Sequence, residues 1–315
     1  MAKPLKNFLC ETVLNNLEYN SDYLHQSCAS WPKNYMGVCM QKTKFFILCA
    51  GAGERWGNYL GIDKQHIAFG GETLLERTIR LLGAYTDSLP ALVDELGRFN
   101  ANGARQLLIP PTNCIAQTLY HTRSQWGERN IFLLGDVFYS YKAMGQIVNG
   151  ERNLCFYGRP HESLFSLGKY GEIFAFTFTQ ENFSLVEKHL GRVIEEQQKG
   201  GRGKLWELHR SLSGQSLSQH VINLSCFELV EDETDDFDSP KEYERNRRRY
   251  EVLTNPAGMR SSLFLLFIKI CRRSFRLRRL LTHYYHALLR GKPRRARTIR
   301  VPIQKYNSAR LRPAK

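Results

Sequence analysis

The chain holds eight cysteines but no Cys-x-x-Cys pair, and its nine histidines do not join them at zinc-ligand spacing. A structural zinc module and a dithiol redox centre are excluded, and the cysteines read as reduced thiols of a cytosolic protein. Long hydrophobic runs are also missing. The longest, such as residues 263–268, reach six residues against the roughly 20 that span a bilayer. Residues 1–20 scatter Lys3, Lys6, Glu11, Asn15, Asn16 and Glu18 among their apolar positions, which does not suit a signal peptide. The expectation is a soluble, cytoplasmic protein. Acid is scarce at one end only. Residues 245–315 carry 21 Lys and Arg against the single acid Glu251; that surplus of 20 exceeds the chain's formal +15 and leaves residues 1–244 at −5.

What is present is a core large enough for one big domain or two small ones, with 42% hydrophobic content over 315 residues. The chain is organised around residues 44–82. An apolar strand, Phe45-Phe46-Ile47-Leu48-Cys49-Ala50, breaks into Gly51-Ala52-Gly53-Glu54-Arg55-Trp56-Gly57. A glycine turn after a buried strand exposes backbone N–H groups and lets a phosphate approach. A Walker loop needs Lys and Ser or Thr after its last glycine, and Gly57 is followed by Asn58 and Tyr59. A dinucleotide fingerprint wants Gly-x-Gly-x-x-Gly with an acid ending the next strand; here the third glycine comes one place late, and Glu76 lies in a helical pattern. Nucleotidyl transfer asks for glycines near a triphosphate, an Arg beside the departing pyrophosphate and a Lys a few residues on. Gly51, Gly53, Arg55, Gly57 and Lys64 supply that set.

The string LCAGAGERWG…DKQHIAFGGETLLERTI resembles the signature of the sugar-phosphate nucleotidyltransferases, roughly L-x-A-G-x-G-x-R-x-G…P-K-x-L…G-x-P-L-L. Leu48, Ala50, Gly51, Gly53, Arg55, Gly57, Lys64, Gly71, Leu74 and Leu75 match it, while Asp63 and Thr73 stand where the pattern has Pro. The resemblance covers residues 44–250. It implies an α/β fold with a Rossmann-like, mostly parallel sheet and helices on both faces, to which the sequence adds a basic, partly helical C-terminal tail. It further implies Ala50, Gly51 and Gly53 against the nucleotide, with Arg55 and Lys64 as the catalytic cations. By position alone, Asn113, Gln117 and Thr118 are base-reading candidates, although Asn113 also suits an ordinary helix cap.

Two later stretches fit the same reading. Residues 130–134 form an apolar strand that ends in Gly135-Asp136, placing a carboxylate at the edge where open α/β sheets hold their ligands. Asp235-Asp236-Phe237-Asp238-Ser239-Pro240 is an acidic turn that starts a helix. The resemblance makes Asp136 and Asp238 the ligands of Mg²⁺, with Asp236 in reserve. It implies a nucleoside triphosphate and a phosphorylated sugar, alditol or small alcohol as partners, and release of pyrophosphate. A glycosyltransferase on the same nucleotide-sugar-binding fold would place an Asp-x-Asp after the central strand, where Gly135-Asp136-Val137-Phe138 offers one acid. The alternative from another class is a catalytically silent polyanion-binding protein.

The remaining expectations are local. Residues 1–43 read as an N-terminal extension with a helix over 5–17. Ser88 would cap a helix over 89–99, residues 106–109 form a strand, and Asn113 would cap a helix over 115–126. A strand over 172–178, helices over 183–198 and 204–209 and a strand over 221–229 complete a catalytic domain of 44–250. The tail, 251–315, places Leu277, Leu280, Leu281, Tyr284, Tyr285 and Leu288 on one helical face with arginines largely opposite. That pattern suits a peripheral attachment to an anionic membrane surface; nucleic acid would be drawn by the same charge, and a solvated basic face packed on the domain is the plain reading.

Overall fold

The computed structural model describes residues 43–254 apart from Ala52, Glu162, residues 164–170 and residues 219–221. The expected helices over 5–17 and in the tail lie outside the described residues. In chain order the strands and helices are β1 (Thr43–Leu48), β2 (Ala68–Phe69), β3 (Glu72–Thr73), α1 (Leu74–Gly83), β4 (Ala91–Asp94), β5 (Arg105–Leu108), α2 (Ile115–His121), β6 (Arg129–Leu134), β7 (Val137–Phe138), α3 (Tyr141–Val148), β8 (Leu154–Arg159), β9 (Glu172–Thr179), α4 (Phe183–Gln198), α5 (Leu205–Leu212), β10 (Phe227–Leu229), β11 (Asp235–Asp236) and α6 (Pro240–Thr254).

Seven strands form the main sheet in the order β10-β8-β9-β6-β1-β4-β5. β1 runs parallel to β4 and β6, β4 to β5, and β8 to β10. β9 alone is reversed, antiparallel to β6 and β8. The central strands are therefore continuous apolar runs, as burial on both faces requires. β1 leads rightward through α1 to β4, whereas β5 returns leftward through α2 to β6. Right-handed crossovers, the near-universal hand, then put α1 and α2 on opposite faces. The packing agrees. Ala116 and Leu119 of α2 join Val186, Leu190 and Val193 of α4 and Leu205 and Leu208 of α5 over Phe46, Leu48, Phe132 and Phe176. α1 instead touches α3. The chain changes direction between β1 and β6, so the crevice at their carboxyl ends is the topological switch point, where folds of this kind bind ligands.

A second cluster holds the loops above that crevice. Trp56, Ile67, Phe69, Leu74, Phe138, Phe237, Tyr243 and Tyr250 pack together, with the Phe69 ring 5.3 Å from both Phe237 and Tyr250. Gly70 and Gly71, at φ 62° and 83°, make the two-residue turn between β2 and β3 that presents Phe69. Thr73, at a position where the resembling pattern has Pro, instead caps α1. Its hydroxyl accepts the Glu76 N–H (3.1 Å) and its own N–H donates to the Glu76 carboxylate (2.8 Å).

Several expectations are corrected. Residues 89–99 hold no helix: β4 occupies Ala91–Asp94, and the chain then turns through Gly97 at φ 65°. Pro90 biases Leu89 toward extended backbone, which works against a helix start at Ser88. Asn113 does not cap α2. Cys114 is the N-cap, and the Gln117 side chain reaches back to accept the Asn113 N–H (2.7 Å). α2 ends at His121 rather than 126, because a 3-10 turn over Arg123–Gln125 follows. Of the strand expected over 221–229, the described residues show Phe227–Leu229, preceded by a turn in which the Asn223 side chain accepts the Ser225 N–H. The helix expected to start at Ser239-Pro240 is α6, Pro240–Thr254.

Candidate functional site

The site is built at the carboxyl ends of β1 and β6. Gly51 and Gly53 adopt φ 121° and 60°, conformations that strain a side-chain-bearing residue, and the Gly53 carbonyl accepts the N–H groups of Trp56 and Gly57 to close the turn. The Gly135 N–H donates to the Leu48 carbonyl (2.9 Å), and a Cβ there would meet Cys49 Sγ at 2.8 Å. Glycine at 135 is thus what lets the end of β6 lie against the end of β1. Ala50, half-buried, packs on the core beneath.

Asp136 follows directly. β7 pairs antiparallel with β11, Asp236 opposite Val137, and the Phe237 N–H donates to the Asp136 carbonyl (3.3 Å). This small ribbon carries the acidic turn to the tip of β6. Glu242 fixes Asp238 by accepting its N–H (3.1 Å), and the Ser239 hydroxyl accepts the Glu242 N–H (3.4 Å) at the start of α6. Glu172 opens the reversed strand β9 and so comes to the same edge.

The four charged residues expected from the sequence meet here. Arg55 forms a two-pronged ion pair with Asp238, Lys64 is paired with Asp136, and Lys64 Nζ lies 3.8 Å from the Asp238 carboxylate. Arg55 is 57% exposed, whereas the side chains of Lys64, Asp136 and Asp238 are 13%, 20% and 19% exposed. Burial works to lower the Lys64 ammonium's pKa, but Asp136, Asp238 and Asp236 outweigh it and hold it above its ordinary value. Lys64 is charged at neutral pH.

The carboxylates are more numerous than the cations beside them. Donor oxygens of Glu172, Asp236 and Asp238 all lie within 4.8 Å of one another. Burial, then the charges of Glu172, Asp238, Asp235 and Asp136, push the Asp236 carboxyl well above the usual range. Burial, then Asp238, push Glu172 up to about 7, with Arg159 pulling the other way. Such crowding is costly unless a proton or a cation neutralises it. Hard oxygen donors gathered this closely have the chemistry to hold a divalent cation. Asp235, next to them, is turned away into a buried ion pair with Arg159.

The other candidates lie elsewhere on that edge. Asn113, Gln117 and Thr118 sit at the start of α2 after β5. Gln117 is engaged with the Asn113 backbone, and Thr118 is buried beside Thr112 (Oγ1 to Oγ1, 3.1 Å). None of the three joins the charged cluster through a hydrogen bond or ion pair seen among the described residues. The loop before α5 ties the two parts together, because the Ala116 N–H donates to the Gly203 carbonyl (3.1 Å). The next residue, Lys204, lies within electrostatic reach of Arg55, Asp238 and Glu172; burial first, then Arg55, lower its ammonium.

Sequence reasoning missed Glu172 and Lys204 as neighbours of the site. The signal for Glu172 was a carboxylate at the opening of a strand; it became informative only once that strand proved reversed, which brings its first residue to the ligand edge.

The sequence matches no protein-family model and no curated protein sequence. Solved structures similar to the chain include a Bacillus anthracis protein assigned as a glucose-1-phosphate thymidylyltransferase (12% identity, 66% of this chain and 95% of that one, TM-score 0.46). The inositol-1-phosphate CTP transferase of T. maritima is another (14%, 66% and 93%, 0.45). A third is the CTP:phosphocholine cytidylyltransferase of Streptococcus pneumoniae (12%, 66% and 99%, 0.45).

Proposed function

We propose that the chain is a Mg²⁺-dependent nucleotidyltransferase that joins a nucleoside monophosphate from a triphosphate to a phosphorylated sugar, alditol or small alcohol and releases pyrophosphate. The observation that carries this reading is the meeting of the glycine turn, Arg55, Lys64 and the carboxylates of Asp136 and Asp238 in the crevice at the switch point. The signature in residues 48–75 supports it.

The chemistry sets the demands. Both reactants are anions, so their repulsion must be offset before a phosphate oxygen of the acceptor can attack the α-phosphorus. The new P–O bond forms as the bond to the β-phosphate breaks, and pyrophosphate takes the electron pair. The attacking oxygen is already ionised, so no protein base or nucleophile is needed. Gly51 and Gly53 let backbone approach the triphosphate, and Ala50 seats the turn on the core. Exposed Arg55 meets the departing pyrophosphate, and Lys64 offsets charge on the α-phosphoryl group. Asp238, with Asp236 and Glu172 close beside it and Asp136 at the end of β6, would hold a divalent ion that supplies further positive charge to the phosphates. The start of α2, with Asn113, Gln117 and Thr118, is the proposed base-reading edge. Lys204 extends the positive side of the crevice toward the acceptor phosphate.

Pyrophosphate release from a panel of nucleoside triphosphates, each mixed with phosphorylated acceptors and Mg²⁺, tests this reading. At least one pair is expected to release pyrophosphate in step with a nucleoside-diphosphate-linked product. Transfer from a nucleotide sugar without pyrophosphate release would point instead to a glycosyltransferase, and no turnover with any pair would overturn the reading.

A further inference from the structure

The later half of the glycine turn is held by Trp56, buried in the second cluster, and by the Gly53 carbonyl, which accepts the Trp56 and Gly57 N–H groups. At Gly51 and Gly53 themselves a Cβ would meet nothing within 4 Å, so no neighbour closes over that face of either glycine. Flexible glycines lose the most conformational freedom on ordering, and an aligned cradle needs an external restraint.

Arg98 provides contacts of the right kind. Its Nη2 donates to the Gly51 carbonyl (3.2 Å) and to Asp94 (3.0 Å), and its Nη1 reaches Asp63 (3.3 Å). One planar fork thus joins the glycine turn, the residue before Lys64 and the end of β4, a geometry that lysine cannot copy. The anchor is firm. Asp94 is 2% exposed and also accepts the N–H groups of Leu96 (3.3 Å) and Arg98 (2.8 Å). On the other side, Gln106 of β5 donates to the carbonyls of Gly97 (3.3 Å) and Phe99 (3.0 Å), the two neighbours of Arg98. The guanidinium lies 5.0 Å from the Phe99 ring, which in turn packs on His66.

Asp63 matters because the resembling pattern has Pro there. Its backbone, φ −70° and ψ 152°, is one that Pro adopts, and Ile62 before it is extended, as a residue preceding Pro must be. The backbone geometry is kept while the rigidity comes from an ion pair. We propose that Arg98 is a positioning residue, which through Gly51, Asp63 and Asp94 locks the glycine turn and the Lys64 segment against the end of β4. Its consequence for catalysis rests on the transfer reading; the restraint itself does not.

Hydrogen exchange of the full chain tests the restraint, using Asp63→Asn, Asp63→Pro and Arg98→Lys. Arg98→Lys keeps a charge beside buried Asp94, and Asp63→Asn spares that anchor altogether, so folding is preserved in at least one variant. Peptides over residues 50–67 are expected to exchange faster in Asp63→Asn and Arg98→Lys, with residues 129–148 unchanged, and Asp63→Pro is expected to restore protection. Unchanged exchange in both Asp63→Asn and Arg98→Lys overturns the proposal. With turnover established for the wild type, Asp63→Asn should lower kcat by about tenfold or more while KM for the triphosphate moves little, since a displaced Lys64 fails in the transition state. Faster exchange with an unaltered kcat would overturn the positioning role. A wild type without turnover would remove the transfer reading, while the exchange result would still decide whether Arg98 restrains the turn.

Discussion

At the residue scale, the two cations proposed for catalysis are paired with carboxylates proposed for the metal ion. Arg55 grips Asp238 with two nitrogens and Lys64 grips Asp136. On the proposed reading, a divalent ion arriving alone competes with these cations for Asp136 and Asp238, whereas one arriving on a triphosphate would bring phosphates that draw both cations away. Arg55→Ala is expected to tighten binding of Mn²⁺ alone by about threefold to tenfold, a range kept modest because Arg55 is half-exposed and screened. The same variant should lose on the order of a hundredfold in transfer rate. Manganese titration followed by electron paramagnetic resonance, beside steady-state kinetics, would show the two effects with opposite signs. If Mn²⁺ binding weakens instead, Arg55 organises the carboxylates rather than competing for them.

The crowded carboxylates set a pH dependence of the metal-free protein. Glu172 is raised from its ordinary value of 4.5 to about 7 by burial and then by Asp238. An acid that holds its proton more tightly when folded adds stability as pH falls through about 7 toward 4.5, and that stability is lost as pH rises. Without metal, the midpoint of thermal unfolding should drop between pH 5.5 and pH 8, by about 2–4 °C for each kcal/mol lost in a chain of this size. Glu172→Gln should flatten the slope, and Mg²⁺ should raise the midpoint more at pH 8 than at pH 5.5. A wild-type slope equal to that of Glu172→Gln would mean that Glu172 ionises normally.

At the scale of elements, the aromatic cluster joins loops that are far apart in sequence. Phe69 stands between Phe138, Phe237, Tyr243 and Tyr250, and these belong to β7, the segment after β11, and α6. Phe69→Ala is expected to cost about 3–5 kcal/mol in chemical denaturation, because the cavity lies between rings that cannot all close over it. Activity should fall further than stability alone explains, since β7 directly follows Asp136 and β11 contains Asp236. A loss under 1 kcal/mol would mean that the loops are held mainly by their hydrogen bonds.

The elements that were legible in the sequence are those whose pattern has one reading. β1 and β6 are apolar runs that end in glycine, and α4 shows a long helical period, so Phe183–Gln198 was found with its limits. β4 was not, because Leu89, Leu92, Val93, Leu96 and Phe99 also fit a helical period. Four buried strand residues flanked by loop apolars carry too little length to decide. That error also hid Arg98, which matters only when it sits on a loop after β4. Asp136 and Asp238 were legible from local motifs. The full acidic cluster was not, because it depends on β9 running backwards and on β7 pairing with β11, and no periodicity records either.

At the scale of the whole molecule, charge divides the chain. Residues 245–315 carry a surplus of 20 while residues 1–244 stand at −5. The surplus begins on the folded domain, where Arg245, Arg247 and Arg248 are exposed on α6. Among the described residues no helix is long and apolar enough to cross a membrane. Attraction to an anionic surface is a different matter, since each Lys or Arg near such a surface contributes roughly 1 kcal/mol, and the contribution fades within about 10 Å at moderate salt. Apolar residues 263–268, beside the arginines that follow, would add a contact that salt does not screen. The full chain is therefore expected to sediment with vesicles containing anionic lipid at low salt. Removal of residues 291–315 should leave transfer activity unchanged and weaken sedimentation, and removal from Arg260 onward should abolish it. If the full chain ignores such vesicles and the chain cut at Arg260 unfolds, the basic segment belongs to the folded core and its charge serves another anion.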